Sequence, residues 1–244
     1  MAEPLAPGSV IGILGGGQLG RMLSVAAARL GYRCHIYDPA PAPPAGDVAH
    51  AVTTAAWEDA TALAAFAAEV DAITLEFENV PAAALDVLEP LRPVRPGRRA
   101  LKVSQDRLVE KAFLSDLGLA TAPFAAVDDA EDLAEAMAEI GLPAILKTRR
   151  LGYDGKGQAR IDRPEDAEAA LAAMQGAPAI LEGFVAFSHE VSVICARGLS
   201  GEVVAYDPGE NVHREGILRR TTVPARLSAA QRAEIGESSK LGQL

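Results

Sequence analysis

The chain has 244 residues, 49% hydrophobic and only 5% aromatic, and its 23 Lys and Arg against 33 Asp and Glu give a formal net charge of −10. That length buries a substantial core in one large or two modest domains, and the acidic balance excludes the broad basic footprint of a nucleic-acid binder, so anionic ligands must be met by local basic sites. No apolar run reaches membrane-spanning length, and the acidic, proline-containing N-terminus is not shaped like a signal peptide, which predicts a cytoplasmic protein without membrane partners.

Val10-Ile11-Gly12-Ile13-Leu14 reads as a strand that breaks into Gly15-Gly16-Gly17-Gln18-Leu19-Gly20 and continues with helical spacing at Met22, Leu23, Val25, Ala26 and Leu30, stopping at Gly31. A second strand, Cys34 to Tyr37, ends in Asp38. After an alanine-rich helix from Thr61 to Glu69, a third strand, Ala72 to Phe77, ends in Glu76, Glu78 and Asn79. The alternation predicts a parallel, doubly wound sheet. Gly15, Gly17 and Gly20 satisfy G-x-G-x-x-G, and Asp38 stands at the spacing of a ribose-binding acid, so this unit admits a dinucleotide site and an NAD-dependent oxidoreductase. The weaker requirement is some phosphate at the helix N-terminus. The run Pro39-Ala40-Pro41-Ala42-Pro43-Pro44 is placed to fill an adenosine slot there. Glu76 and Glu78 read as a solvated strand end or as paired acceptors for a ligand's hydroxyl or amine groups.

The proline-rich crossing from Pro90 to Gly97 marks a boundary. A helix from Ser104 to Leu114 follows, with Arg107 beside Lys111; locally this pair reads as a solvated basic face. Next come a helix from Ala130 to Ile140, the strand Pro143-Ala144-Ile145-Leu146-Lys147, and Gly152-Tyr153-Asp154-Gly155-Lys156-Gly157-Gln158. Three glycines within six positions let backbone N–H groups approach an anion, and Lys147 and Lys156 add point charges, so this loop reads as a phosphate lid; alone, Asp154-Gly155 also suits a simple hairpin turn. A helix from Pro164 to Met174, a strand from Ala179 to Val185 and another beginning at Glu190 complete a small α+β module. Cys34 and Cys195, both in apolar runs, are expected as small buried hydrophobes. The scattered His35, His50, His189 and His213 give no dedicated metal site.

Taken together, residues 15 to 22, 76 to 80 (Glu-Phe-Glu-Asn-Val), 106 to 111 (Asp-Arg-Leu-Val-Glu-Lys), 152 to 158 and 211 to 219 (Asn-Val-His-Arg-Glu-Gly-Ile-Leu-Arg) resemble the 5-(carboxyamino)imidazole ribonucleotide synthase family of ATP-grasp ligases, from about Val10 to Leu227. The resemblance implies an α/β chain: a Rossmann-like parallel-sheet domain over 1–100, an ATP-grasp α+β small lobe over 101–183, and the start of the large lobe over 184–244. It implies that Arg107 and Lys147 hold ATP phosphates and that Gly152, Tyr153, Asp154, Gly155, Lys156, Gly157 and Gln158 close over them. Glu182, Gly183, Phe184 and Val185 would read adenine, Glu190 the ribose, and His213 would lie near the phosphates. Tyr153, Asp154 and Lys156 would surround bicarbonate, and Gly17, Gln18, Leu19 and Glu76 the aminoimidazole ribonucleotide. The implied chemistry is ATP-dependent carboxylation through carboxyphosphate, with Mg²⁺, in a homodimer.

The family continues into a segment carrying the Mg²⁺ carboxylates, and the tail from Glu237 to Leu244 does not resemble that continuation. The expectation is a truncated chain, inactive alone, or a non-catalytic nucleotide-binding remnant.

Overall fold

A computed structural model describes residues 4–152, 156–214 and 217–241. The chain divides into two compact units that meet in sequence at Gln105 and Asp106.

The first unit runs β1 (Val10–Leu14), α1 (Gln18–Arg29), β2 (Arg33–Asp38), β3 (Ala51–Thr54), α2 (Ala60–Ala68), β4 (Ala72–Leu75), α3 (Ala82–Leu88) and α4 (Arg98–Ser104). Its four strands are all parallel in the order β3-β2-β1-β4, so the strand order reverses beside β1. Both faces are covered. Leu14, Tyr37 and Ile73 pack with Leu63, Phe66, Leu85 and Leu88 on one side, while Ile13, Cys34 and Ile36 pack with Ala27 on the other. A strand buried on both faces reads as an unbroken apolar run, which is why β1 was legible. The edge strand β3 alternates half-buried and exposed residues and lacks that signal.

The second unit contains α5 (Arg107–Asp116), β5 (Phe124–Val127), α6 (Ala130–Ile140), β6 (Ala144–Thr148), β7 (Gln158–Ile161), α7 (Ala167–Ala173) and β8 (Ala179–Gly183). The four strands form an antiparallel sheet in the order β5-β8-β6-β7. Side chains alternate across it. Val127, Ala144, Leu146, Ile161, Ala179 and Leu181 pack on Leu133 and Ala136 of α6 and Ala170 of α7. The opposite face carries Phe124, Ile145, Lys147 and Glu182, with Phe124 and Ile145 in register with Glu182 on its two sides.

Beyond it lie β9 (Glu190–Ser192), β10 (Cys195–Arg197), β11 (Val203–Ala205), β12 (Gly209–Arg214), β13 (Ile217–Thr222) and α8 (Ala229–Leu241), with β10 pairing β11 and the order β13-β12-β9 in a three-stranded sheet. Two expectations are corrected. Cys34 is buried, but Cys195 is exposed: among the described residues β10 pairs with β11 alone, and all three of its residues are exposed. The helix expected from Ser104 to Leu114 is two helices: Asp106 has extended backbone and its carboxylate accepts from the N–H groups of Leu108 and Val109, starting α5 afresh. No helix among the described residues is long and apolar enough to cross a membrane.

Candidate active site

At the first glycine turn, two of the backbone donors are engaged by the protein's own acids. The Gly16 N–H donates to Asp38 Oδ2 at 2.7 Å, and the Ala40 N–H to Asp38 Oδ1 at 2.7 Å. The Gly17 N–H, at the cap of α1, donates to Glu76 Oε2 at 3.4 Å. A Cβ on Gly17 would lie 2.8 Å from Glu76 Oε1, so glycine is what lets that carboxylate sit at the helix start. Ala45 N–H donates to the Gly16 carbonyl at 2.9 Å, and Pro43 packs against Gly16.

This corrects the dinucleotide reading. Asp38 converges on the turn, as that reading requires, but both its oxygens accept from backbone N–H groups, and Pro43 of the proline-rich segment packs directly against Gly16. A phosphate entering here would meet two carboxylates. Gln18 and Leu19 are exposed, Leu19 at 64%, directly after the residue that holds Glu76. Glu76 and Glu78 are not a matched pair: Glu76 turns to Gly17, while the Glu78 carboxylate accepts from Asn79 at 3.5 Å and its carbonyl from Gln105 Nε2 at 2.8 Å.

The second cluster is built on the face of the antiparallel sheet turned away from α6 and α7. Lys147 Nζ lies 2.8 Å from Glu182 Oε2, and Lys111 Nζ, reaching down from α5, lies 3.6 Å from the same oxygen. Arg107 is not on a solvated face. Its Nε donates to the Thr148 carbonyl at 3.2 Å and its Nη2 to the Gly152 carbonyl at 2.9 Å, which fixes the guanidinium at the mouth of the glycine loop. That start of α5 is clamped from below. Arg149 grips Asp106 through Nε at 3.0 Å and Nη2 at 2.7 Å. Burial pushes the Asp106 carboxyl upward, but the Arg149 bond and the Val109 and Leu108 N–H groups outweigh it and hold the group below its usual range.

The glycine loop joins β6 to β7. The Thr148 N–H donates to the Gly157 carbonyl at 2.8 Å, and Gly157 has φ +67 with Thr148 Oγ1 only 2.6 Å from a would-be Cβ, so the loop's return demands glycine. Lys156 and Gln158 are exposed; Tyr153, Asp154 and Gly155 lie outside the described residues. Past Glu182, the Gly183 N–H donates to Pro123 and the Phe184 N–H to Pro143, and the Phe184 ring carries the Arg160 guanidinium at 4.2 Å. Val185 is half exposed.

Glu190 and His213, 23 positions apart in sequence, are brought together across β9 and β12, with His213 Nδ1 3.2 Å from Glu190 Oε1. Asn211 Nδ2 donates to the same oxygen at 3.3 Å and its Oδ1 accepts from Thr221 at 2.8 Å. Sequence reasoning missed the roles of Lys111, Asp106, Arg149 and Asn211. The cap pattern at Asp106 was a usable signal; nothing in the sequence pairs Lys111 with Glu182. Among the described residues, no three His, Cys, Asp or Glu side chains converge as a metal site.

The chain matches the ribonucleotide synthetase preATP-grasp domain over residues 9–105 and the ATP-grasp domain over residues 112–240. The N5-carboxyaminoimidazole ribonucleotide synthase of Brucella melitensis biotype 1 is 53% identical over 237 residues, covering 96% of this chain and 65% of that protein. The Bacillus subtilis (strain 168) synthase is 41% identical over 221 residues, covering 91% and 58%. Among solved structures, the ADP complex of purK, an N5-carboxyaminoimidazole ribonucleotide synthetase, superposes with a TM-score of 0.93 at 37% identity over 99% of this chain and 64% of that chain. The Aspergillus clavatus synthase in complex with ADP and 5-aminoimidazole ribonucleotide gives 0.85 at 26% identity over 96% and 62%. The chain thus spans less than two thirds of the length of these relatives.

Proposed function

This chain belongs to the ATP-grasp family, and on that premise we propose that its protein is an ATP-dependent ligase that carboxylates 5-aminoimidazole ribonucleotide with bicarbonate, in purine biosynthesis. The observation that carries the proposal is the pair of cations where β6 runs into the glycine loop: Lys147 near the end of the strand, and Arg107 of α5 bonded to the Thr148 and Gly152 carbonyls. Relatives at 53% and 41% identity carry the same synthase name, which supports the substrate.

In this reading Lys147 and Arg107 hold ATP phosphates, while the loop from Gly152 to Gln158 closes over them. The segment Glu182 to Val185, tied to Pro123 and Pro143 through its backbone, faces adenine. Glu190, already bonded to Asn211, accepts the ribose hydroxyls, with His213 toward the phosphates. The γ-phosphoryl group passes to a bicarbonate oxygen, giving carboxyphosphate and ADP. That intermediate is short-lived in water, so a lid that excludes solvent serves the chemistry. Carboxyphosphate yields carbon dioxide and phosphate, and the ribonucleotide's amine nitrogen attacks the carbon to form the carbamate. Tyr153, Asp154 and Lys156 are assigned to bicarbonate, and Gly17, Gln18, Leu19 and Glu76 to the ribonucleotide. Mg²⁺, a homodimer and a cytoplasmic location are part of the same proposal.

The test is ADP release by the full-length protein. It is expected to require aminoimidazole ribonucleotide and bicarbonate together for coupled carbamate formation. ADP release that ignores the ribonucleotide removes it as the substrate, and binding of nucleotide without turnover in the full-length protein leaves the non-catalytic nucleotide-binding reading instead.

A further inference from the structure

We infer that Lys111 is a positioning residue for the nucleotide site: it is the cation that keeps the Glu182 carboxylate paired when Lys147 turns to a phosphate. The inference rests on the nucleotide reading given above. In sequence Lys111 is one charged residue among several on an amphipathic helix, with Arg107, Glu110 and Asp116. In the fold its side chain is only 16% exposed, its Nζ lies 3.6 Å from Glu182 Oε2, and it stands 5.7 Å from the centre of the Phe124 ring, the register partner of Glu182 on β5.

Glu182 is the constraint. Its side chain is 11% exposed, and a carboxylate so far from water must stay paired. Lys147 holds it at 2.8 Å. With Lys147 as the sole partner, every phosphate that drew Lys147 away would strand a buried negative charge, and nucleotide affinity would carry that penalty. A second ammonium on another element removes the conflict. Two cations around one anion leave a net positive charge at the cluster, and the carboxylate keeps a partner throughout. The delivery is economical in geometry: Lys111 lies one helical turn after Arg107, so α5 presents Arg107 to the glycine loop and Lys111 to the sheet from the same side. The Asp106–Arg149 grip fixes the helix that carries both.

Calorimetric titration of the full-length protein with ADP tests this, using Lys111→Met, Lys111→Arg and the double variant Lys111→Met/Glu182→Gln. The expected result is ADP binding weakened about tenfold in Lys111→Met, the size of one charge-assisted contact, and near-parental binding in Lys111→Arg. The double variant is expected to regain most of the lost affinity, because no carboxylate then competes for Lys147; a purely structural lysine gives no such rescue. Parental affinity in Lys111→Met, or a double variant no tighter than the single, overturns the inference while leaving the nucleotide reading standing. A parent that does not bind ADP removes both.

Discussion

Two glycine-rich turns in this chain, one opening α1 and the other joining β6 to β7, look alike in sequence and are used in opposite ways. At the first, the N–H groups of Gly16 and Gly17 are met by Asp38 and Glu76. At the second, Arg107 is fixed at the loop's start and Lys147 stands on the adjoining strand. The glycines do the same thing in both places: they let something come close. What differs is whose charge arrives. A turn whose N–H groups donate to the protein's own carboxylates does not offer those donors to a phosphate, whereas one rimmed by cations attracts it. Glycine spacing therefore marks close approach, and the sign of the surrounding side chains decides between the two uses.

The largest expected effect sharpens the cationic side of that contrast. Lys147→Ala should remove a charge-assisted phosphate contact worth about 1.5–3 kcal/mol, which weakens ADP binding roughly 10- to 100-fold, and should abolish turnover while the circular dichroism spectrum stays parental. ADP affinity unchanged by calorimetry would reduce Lys147 to the partner of Glu182 and nothing more.

Next in size is the clamp beneath the second turn. Asp106→Asn removes the negative end of the bond to Arg149 while keeping a side-chain oxygen to cap α5. Both side chains keep some contact with water, 13% for Asp106 and 23% for Arg149, so the loss is set at about 2 kcal/mol rather than the full value for a buried pair. The pH dependence follows from the sign of the shift. Asp106 titrates below its ordinary 3.8 in the folded protein, so its contribution is fully present above that value and disappears as pH falls through the lower, folded value. Denaturant unfolding between about pH 5 and pH 2 should show the parent losing this increment and the Asn variant lacking it throughout. Equal acid sensitivity in both would contradict the clamp.

Much of this fold was legible because its signals are local. The apolar run of β1, the stop at Gly31 and the helix of Ala130 to Ile140 needed no partner to be recognised, and the glycine loop and Lys147 stood out by composition. Glu190 and His213 were reached only through resemblance, since nothing local joins residues on β9 and β12 whose side chains meet across a sheet. Lys111 escaped for a related reason. Its significance lies in a carboxylate 71 positions away on β8, and helical periodicity records which side a residue faces but not what it meets there. The first turn misled for a different reason: G-x-G-x-x-G with a following Asp is the same string whether Asp38 binds a ribose or its own backbone.

Asp38→Ala tests that last point directly. Two N–H groups, of Gly16 and Ala40, lose their acceptor, and the cost should be about 1–2 kcal/mol of stability, with ADP affinity unchanged. NAD should bind neither parent nor variant. Micromolar NAD binding by the parent would restore the dinucleotide reading and collapse the contrast between the turns.

The smallest expected effect lies at the mouth of the first turn. Gln18 is exposed and occupies the first position of α1, immediately after the glycine whose N–H holds Glu76. An exposed side chain at that position contributes little to folding, so Gln18→Ala should change stability by less than about 0.5 kcal/mol. If the acid-filled turn serves the ribonucleotide, an amide standing beside an ordered carboxylate supplies both a donor and an acceptor for a polar ligand. Its loss should raise KM for aminoimidazole ribonucleotide several-fold in the full-length protein, leave KM for ATP within twofold, and leave kcat nearly unchanged, the pattern of an interaction made equally in ground and transition states. A rise in KM for ATP instead would place the nucleotide at the first turn and reverse the assignment of the two loops.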